Sequence, residues 1–325
     1  MQNITISQEG SPINAIKDKV VQSWSYSKHK RFLNCKRGLV FTDVIAPLGM
    51  RKDSTSFERK VTQLNQMKNL DMLFGISIHN QVYQAVKEWF REGIQPDAER
   101  IYKNIRCELN QAFIDSKSYR EVWKQGNGVQ GAMLQEIYYS NELPADRAEK
   151  IREKMVACTN SFCSSSTLEE IMYGEEVQFD HAERNRSMNI DNVQVKFVID
   201  LVYDHNQKGK TIIDWKSGNH SMDDYYQLCI YALYYAHVFN FDINQITVAN
   251  EYLYPNKELA GAVKYPITKD DIDRVKELIV NSAGLISDFI MSEKLERAED
   301  VLLLPEAPNE KACSWCNFRE ICHKG

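Results

Sequence analysis

The chain of 325 residues carries 45 acidic and 40 basic side chains, a net charge of -5, with 43% hydrophobic and 26% charged residues. That composition supports a full buried core in one large or two modest domains and argues against a nonspecific coat for polyanions. No apolar run approaches the roughly 20 residues of a membrane span, the start MQNITISQEG lacks a secretory apolar core, and eight cysteines are too few for a disulfide scaffold, so a cytoplasmic chain with reduced thiols is the default expectation.

Residues 1–60 hold eleven Lys and Arg against five Asp and Glu, a local balance of +6. Within residues 1–66, Lys28-His29-Lys30-Arg31 reads either as a solvated helix face or as a strip that grips phosphates. From Met67 to about Cys163 apolar residues recur at three- and four-residue spacing, in Ile78, Val82, Val86, Trp89 and Phe90 and again in Ile101, Ile105 and Leu109, which predicts four or five helices over a 67–172 unit. Pro96 and Pro144 mark helix starts, and 126–128 reads as a loop. Alternation then takes over: Val193 to Tyr203 and Thr211 to Trp215 predict two strands joined by the polar connection His205 to Gly209. Asp223 to His237 reads as a helix, Gln245 to Tyr254 and Gly261 to Tyr265 as strands, and Asp270 to Glu293 as a long amphipathic helix. The 173–304 unit is therefore an α/β core, and 305–325 is a short cysteine-rich tail.

Chemistry concentrates in the predicted hairpin. Asp200 and Asp214 are equidistant from Gln207, so a turn centred there sets them on neighbouring strands, where facing Cβ atoms lie about 4.5 to 5.5 Å apart. Two carboxylates that close repel unless a cation lies between them. Asp214 and Lys216 alternate onto one face, which adds an ammonium to the pair. Hard oxygen ligands suit Mg²⁺ or Mn²⁺. A lone D-x-K is usually a surface ion pair, but Ile212-Ile213 and Trp215 place this one on a half-buried strand. Gln227 and Tyr231 share one face of the following helix and can reach the same sheet edge. Gly209-Lys210-Thr211 ends like a phosphate-binding loop, but Asp204 stands where the required glycine belongs, so nucleotide binding there is rejected.

Taken in order, Gly75-Ile-Ser-Ile-His79 on the first helix, Ile199-Asp200, Ile213-Asp214-Trp215-Lys216-Ser217-Gly218 and Gln227-x-x-x-Tyr231 resemble the PD-(D/E)xK nuclease superfamily and, within it, the RecB-type nuclease domains. The resemblance implies a restriction-endonuclease-like fold: a central mixed β-sheet from about Glu175 to Tyr265 flanked by helices, with a helical insertion. It implies that His79, Asp200, Asp214 and the backbone carbonyl of Trp215 hold the metal, that Lys216 is the catalytic lysine, and that Gln227 and Tyr231 orient the site and the DNA strand. Residues 97–172 match nothing in that pattern.

Cys313, Cys316 and Cys322 form a C-x2-C-x5-C set that needs a fourth ligand, for which Cys35 is the best candidate and His323 a competitor. One early cysteine with three terminal ones resembles the iron-sulfur staple of RecB-type nucleases, which implies a [4Fe-4S] cluster; a Zn²⁺ ion on the same thiolates is the alternative. Cys107, Cys158, Cys163 and Cys229 read as small core residues. The functional expectation is a metal-dependent DNA nuclease working on free ends of single-stranded or unwound DNA, with a helicase or a CRISPR adaptation complex as possible partner. Spacer trimming in CRISPR adaptation and a noncatalytic DNA-binding scaffold are the alternatives.

Overall fold

The computed structural model describes residues 12–126, 131–174, 177–205, 209–254, 261–307 and 310–322, without the side chains of 181–184, 205, 310 and 311. The chain opens with helix α1 (Pro12–Val21), the short strand β1 (Ser23–Trp24), α2 (Tyr26–Asn34), α3 (Lys36–Val40), a π-helical turn (Phe41–Ile45), α4 (Ala46–Leu48) and α5 (Ser56–Gln66). Five helices follow: α6 (Leu70–Glu92), α7 (Ala98–Lys124), α8 (Gln135–Ser140), α9 (Ala145–Cys163) and α10 (Ser166–Tyr173). Then come strands β2 (Val177–Ile190), β3 (Val193–His205) and β4 (Gly209–Lys216), helix α11 (Met222–Val238), strands β5 (Ile246–Tyr252) and β6 (Gly261–Tyr265), helix α12 (Lys269–Ser292) and the short α13 (Glu310–Ser314).

Six strands form one mixed sheet in the order β1-β3-β4-β5-β6, with β2 also paired to β3. β2 runs antiparallel along β3 from Ile190↔Val193 to Val177↔His205. With that edge of β3 filled, β1 and β4 must share the other: β1 pairs at Gln194 and Val195, and β4 pairs only from Leu201 to His205. Residues 196–200 of β3 therefore face a gap between two neighbours that lie end to end. β4 and β5 run parallel, as a connection through α11 requires.

Alternation on β3, β4 and β5 sends side chains into two cores. Val202, Ile212 and Val248 join the N-terminal helices, α11 and α12 on one face, while Leu201, Ile213, Trp215 and Ala249 join α6, α7 and α9 on the other. The sheet is thus covered on both faces, as its near-continuous apolar strands demand. The predicted mixed α/β sheet flanked by helices is the fold observed.

Several details differ from the sequence reading. Residues 12–66 fold as helices around the first core, so His79 sits on the sixth helix and not the first. Lys28 is no solvated residue: it is 7% exposed, and its Nζ donates to the carbonyls of Val20 (2.8 Å) and Ser23 (2.6 Å). Cys107 is exposed on α7 and not a core residue; Cys158 and Cys229 are buried and Cys163 is half-buried. The turn residues 206–208, and with them Gln207, lie outside the described residues, as does His323.

Gly209 opens β4 with φ +87°, and a Cβ there would lie 2.0 Å from the Gln245 carbonyl oxygen. Gly209→Ala is expected to lower the urea midpoint by an amount equivalent to about 2 kcal/mol or more, because both backbone strain and a clash with main chain oppose it. Gly218→Ala, where an added Cβ meets nothing within 4 Å, should stay within about 0.5 kcal/mol of the parent and serves as control.

Candidate active site

The β3–β4 ladder ends at Leu201↔Ile213, so the next residues in register are Asp200 and Asp214, as the turn arithmetic predicts. Beyond the last paired residues the Trp215 amide donates to the Asp200 carboxylate Oδ2 at 2.8 Å. A side chain thus satisfies an amide at the fork of the two strands, and it holds Asp200 against β4.

Asp200 and Asp214 are 6% and 4% exposed. Lys216 lies on the same face of β4 as Asp214, and its Nζ is 2.5 Å from Asp214 Oδ2. The same Nζ donates to Gln227 Oε1 at 2.6 Å and is 3.5 Å from Asp224 Oδ1. The Tyr231 hydroxyl donates to Asp214 Oδ1 at 3.1 Å. Gln227 and Tyr231, four apart on α11, therefore reach the same Asp/Lys pair from one helix face. His79 of α6 brings Nδ1 to 3.3 Å from Asp200 Oδ2. The structure brings together all the side chains that the sequence singled out at this site: His79, Asp200, Asp214, Lys216, Gln227 and Tyr231.

Electrostatics follow from burial. Desolvation pushes the Asp214 carboxyl up, and the Asp200 charge pushes it further; Lys216 and His79 oppose, and the result is about 6. Burial works to depress Lys216, but Asp214, Asp224 and Asp200 outweigh it and hold the ammonium above its ordinary value. The ammonium stays charged at any physiological pH, while Asp214 is poised to exchange a proton.

Two acidic residues escaped the sequence reading. Asp224 closes a capping box at the start of α11, where its Oδ2 accepts from the Ser221 amide at 2.9 Å and from the Tyr252 hydroxyl at 3.2 Å. The signal was present as Ser221-x-x-Asp224 ahead of an apolar run. Glu251 is buried in β5, in parallel register with Trp215, and its Oε2 accepts from the Trp215 indole at 2.9 Å. Burial raises its pKa, against the hydrogen bonds from Trp215, Ser165 and Thr167. An acid within the otherwise apolar Ile246 to Tyr252 strand was the available cue.

His79, Asp200, Asp214, Lys216, Gln227 and Tyr231 line a cleft of about 640 Å³ whose walls include Tyr26, Lys196 and Phe197. Among the described residues no three His, Cys, Asp or Glu side chains stand assembled as a metal-holding group. The donors instead engage Lys216, the Trp215 amide and one another. The donor chemistry nonetheless fits a hard divalent cation: two buried carboxylates and an imidazole share one wall, and hard oxygen donors are what such an ion takes.

Away from this cleft, Cys35, Cys313, Cys316 and Cys322 line one small cavity together with Gly38, Phe41 and Arg319. Cys35 caps α3, its Sγ accepting from the Gly38 amide at 3.2 Å. Cys316 Sγ accepts from the Phe318 amide at 3.4 Å, and the buried Arg37 donates from Nη1 to Cys322 Sγ at 3.2 Å. Burial pushes the Cys316 thiol up to about 11. All eight cysteines are free of disulfides.

A family model for the PD-(D/E)XK nuclease superfamily matches residues 23–323. A solved structure titled "Crystal structure of SSO0001" aligns with 67% of this chain and 84% of its own length, at 14% identity and a TM-score of 0.26. No curated protein matches the chain. With its sequence matched across both the forked sheet and the cysteine tail, the chain belongs to the PD-(D/E)XK nuclease superfamily.

Proposed function

We propose that this chain is a Mg²⁺- or Mn²⁺-dependent deoxyribonuclease that trims free ends of single-stranded or unwound DNA, with a structural iron-sulfur cluster on its four gathered cysteines. The observation that supports it most is the buried Asp200/Asp214 pair held beside Lys216 in the wall of an open cleft. A fold maintains such a site only at a cost in desolvation, so its retention points to chemistry.

Asp200, Asp214 and His79, with the Trp215 backbone carbonyl, would hold the metal, which supplies a bound water of lowered pKa and polarises the phosphodiester. The protein's part is positioning. Tyr231 and Lys216 take different oxygens of Asp214 and so fix its rotamer. Gln227 fixes the Lys216 ammonium, which is placed to orient a water or to balance charge growing on the phosphate. Glu251 and the Asp200 carboxylate pin Trp215 from its indole and its amide, which sets the direction of its backbone.

At the cysteine cavity, the reading is supported by four sulfurs lining one space and by two amide-to-sulfur hydrogen bonds, contacts of the kind that tune thiolate-bound iron. Cys35 and Cys322 are far apart in sequence, so a cluster there would close a very long loop and remove much unfolded-chain entropy.

With end-labelled single-stranded DNA and Mn²⁺, Asp214→Ala and Lys216→Ala should each lower cleavage by about a hundredfold or more while leaving the fold intact. Cleavage equal to the parent in both would defeat the site assignment and leave a DNA-binding scaffold as the reading.

Anaerobically purified protein should be brown, with absorbance near about 400 nm that Cys316→Ser abolishes. A colourless protein holding one zinc per chain would replace iron and keep the four ligands.

The Asp214 carboxyl titrates near 6 in the folded chain and near 4 in the unfolded one. Between those values the folded state binds the extra proton, so this group's contribution to stability falls as pH rises through the window and its full cost is present above it. Urea midpoints in EDTA should show the parent losing on the order of 2 kcal/mol relative to Asp214→Asn between about pH 4 and pH 6.5. Parallel curves for the two proteins would show that Asp214 is not the group responsible.

A further inference from the structure

A second cleft, of about 660 Å³, opens beside the catalytic one between α1, α2 and the α4 turn. The two share Ser25 and Lys196 in their walls, so they form one continuous groove along the stretch of β3, residues 196–200, that neither β1 nor β4 pairs. Five cations line the second cleft, Lys19, Lys28, Arg31, Arg51 and Lys196, against the single carboxylate of Asp43.

Three of these five already have partners. Lys28 is spent on backbone carbonyls, Arg31 is paired with Asp43 at 3.1 Å, and Arg51 with the exposed Asp53 at 2.5 Å. Lys19 and Lys196 are exposed and have no ion-pair partner among the described residues. The cleft thus keeps an uncompensated positive potential in a chain whose net charge is -5, where a random surface would lean negative. Such a groove attracts polyanions and fixes their path. At its catalytic end stands Tyr26, its ring stacked on the half-exposed Tyr226 at 6.3 Å, a flat apolar face of the kind on which unpaired bases rest. A groove of this volume holds a few nucleotides of one strand.

We infer that the α1/α2 cleft is a second phosphate-binding subsite, which grips the backbone of the same single strand whose end lies in the catalytic cleft. This rests on the nuclease reading for the identity of the strand, but the subsite would act in binding alone. It makes affinity depend on several nucleotides beyond the scissile bond, with Lys19, Lys196 and Arg51, the last exchanging its solvent-exposed Asp53 partner for the strand, each contacting a phosphate.

The test is binding without cleavage. A fluorescein-labelled single strand of about 12 nucleotides is titrated in EDTA by fluorescence anisotropy, from about 50 to 200 mM salt. The variant Lys19→Gln/Arg51→Gln/Lys196→Gln is compared with Lys87→Gln/Lys103→Gln/Lys150→Gln, which removes the same charge from exposed positions on α6, α7 and α9. Each phosphate contact on a single strand contributes about 0.7 to the slope of log K against log salt. The cleft variant should lose about 2 from that slope and bind on the order of a hundredfold more weakly at ~0.1 M salt, while the control variant stays near the parent. Equal weakening in the two variants would overturn the subsite in favour of general charge attraction. A blunt duplex that binds as tightly as the single strand, and loses as much in the cleft variant, would overturn the single-strand assignment. Failure of the parent to bind the oligonucleotide would sink the subsite while leaving the nuclease reading to the Mn²⁺ cleavage assay above.

Discussion

The Asp214–Lys216 contact at the end of β4 governs the arrangement around it. A buried ion pair gains little net stability, because two charges leave water to form it, and loss of either partner leaves the other stranded. The pair persists here because its remaining valences are filled: Tyr231 on one carboxylate oxygen, Gln227 and Asp224 on the ammonium. Those three residues come from one helix, so α11 is fixed in rotation and register over the sheet by polar contacts as much as by its buried Leu228, Ile230 and Leu233. An apolar pair of the same volume would hold the helix as well and could do no chemistry.

What opens the pair to solvent is the division of one strand edge. β2 fills the whole of one side of β3, and β1 and β4 divide the other. Pairing along residues 196–200 would have buried Asp200 under a neighbouring strand and closed the cleft. The two-residue β1 is the limiting piece, and its buried Trp24, whose indole donates to Ser282 on α12 at 2.9 Å, anchors it at the far end of the gap. A sheet edge left unpaired invites aggregation, and in this chain that stretch lines a cleft together with the start of α2, Lys196 and Lys216.

The centre of the molecule was legible because its signals are periodic and local. The symmetric spacing of Asp200 and Asp214 about Gln207 gave the register, D-x-K gave a shared face, and Gln227 with Tyr231 gave a helical one. The N-terminal helices were not legible. They are short, and α2 is built from Tyr26-Ser-Lys-His-Lys-Arg-Phe-Leu-Asn34, whose helicity depends on the Ser25 cap and on tertiary contacts that consume its charges. β2 was hidden for a related reason: Val177-Gln-Phe-Asp-His-Ala-Glu-Arg-Asn-Arg-Ser-Met-Asn-Ile190 has too many charges to read as a strand, and a register shift between Phe179 and His181 breaks its alternation. Glu251 was missed because its partner, the Trp215 indole, is 36 residues away and joined to it only through parallel pairing.

α2 links the two chemical regions. Its first turn places Ser25 and Tyr26 in the wall of the catalytic cleft, and nine residues later its C-cap is Cys35 in the cysteine cavity. A helix of that length spans only about 13 Å, and as a rigid rod it transmits a tilt at one end to the other. The C-terminal tail is pinned at the Cys35 end by Arg37 on the Leu304 carbonyl at 2.9 Å, by Phe41 stacked on Phe318 at 4.8 Å, and by Asn317 on the Met67 carbonyl at 2.9 Å. Lys30 pairs with Asp223 from the middle of the same helix, one residue before the Asp224 that faces Lys216. The cysteine cavity and the cleft therefore share α2 as a wall element, so a tilt of this helix would move both, while Asp200, Asp214 and Lys216 are placed by the sheet.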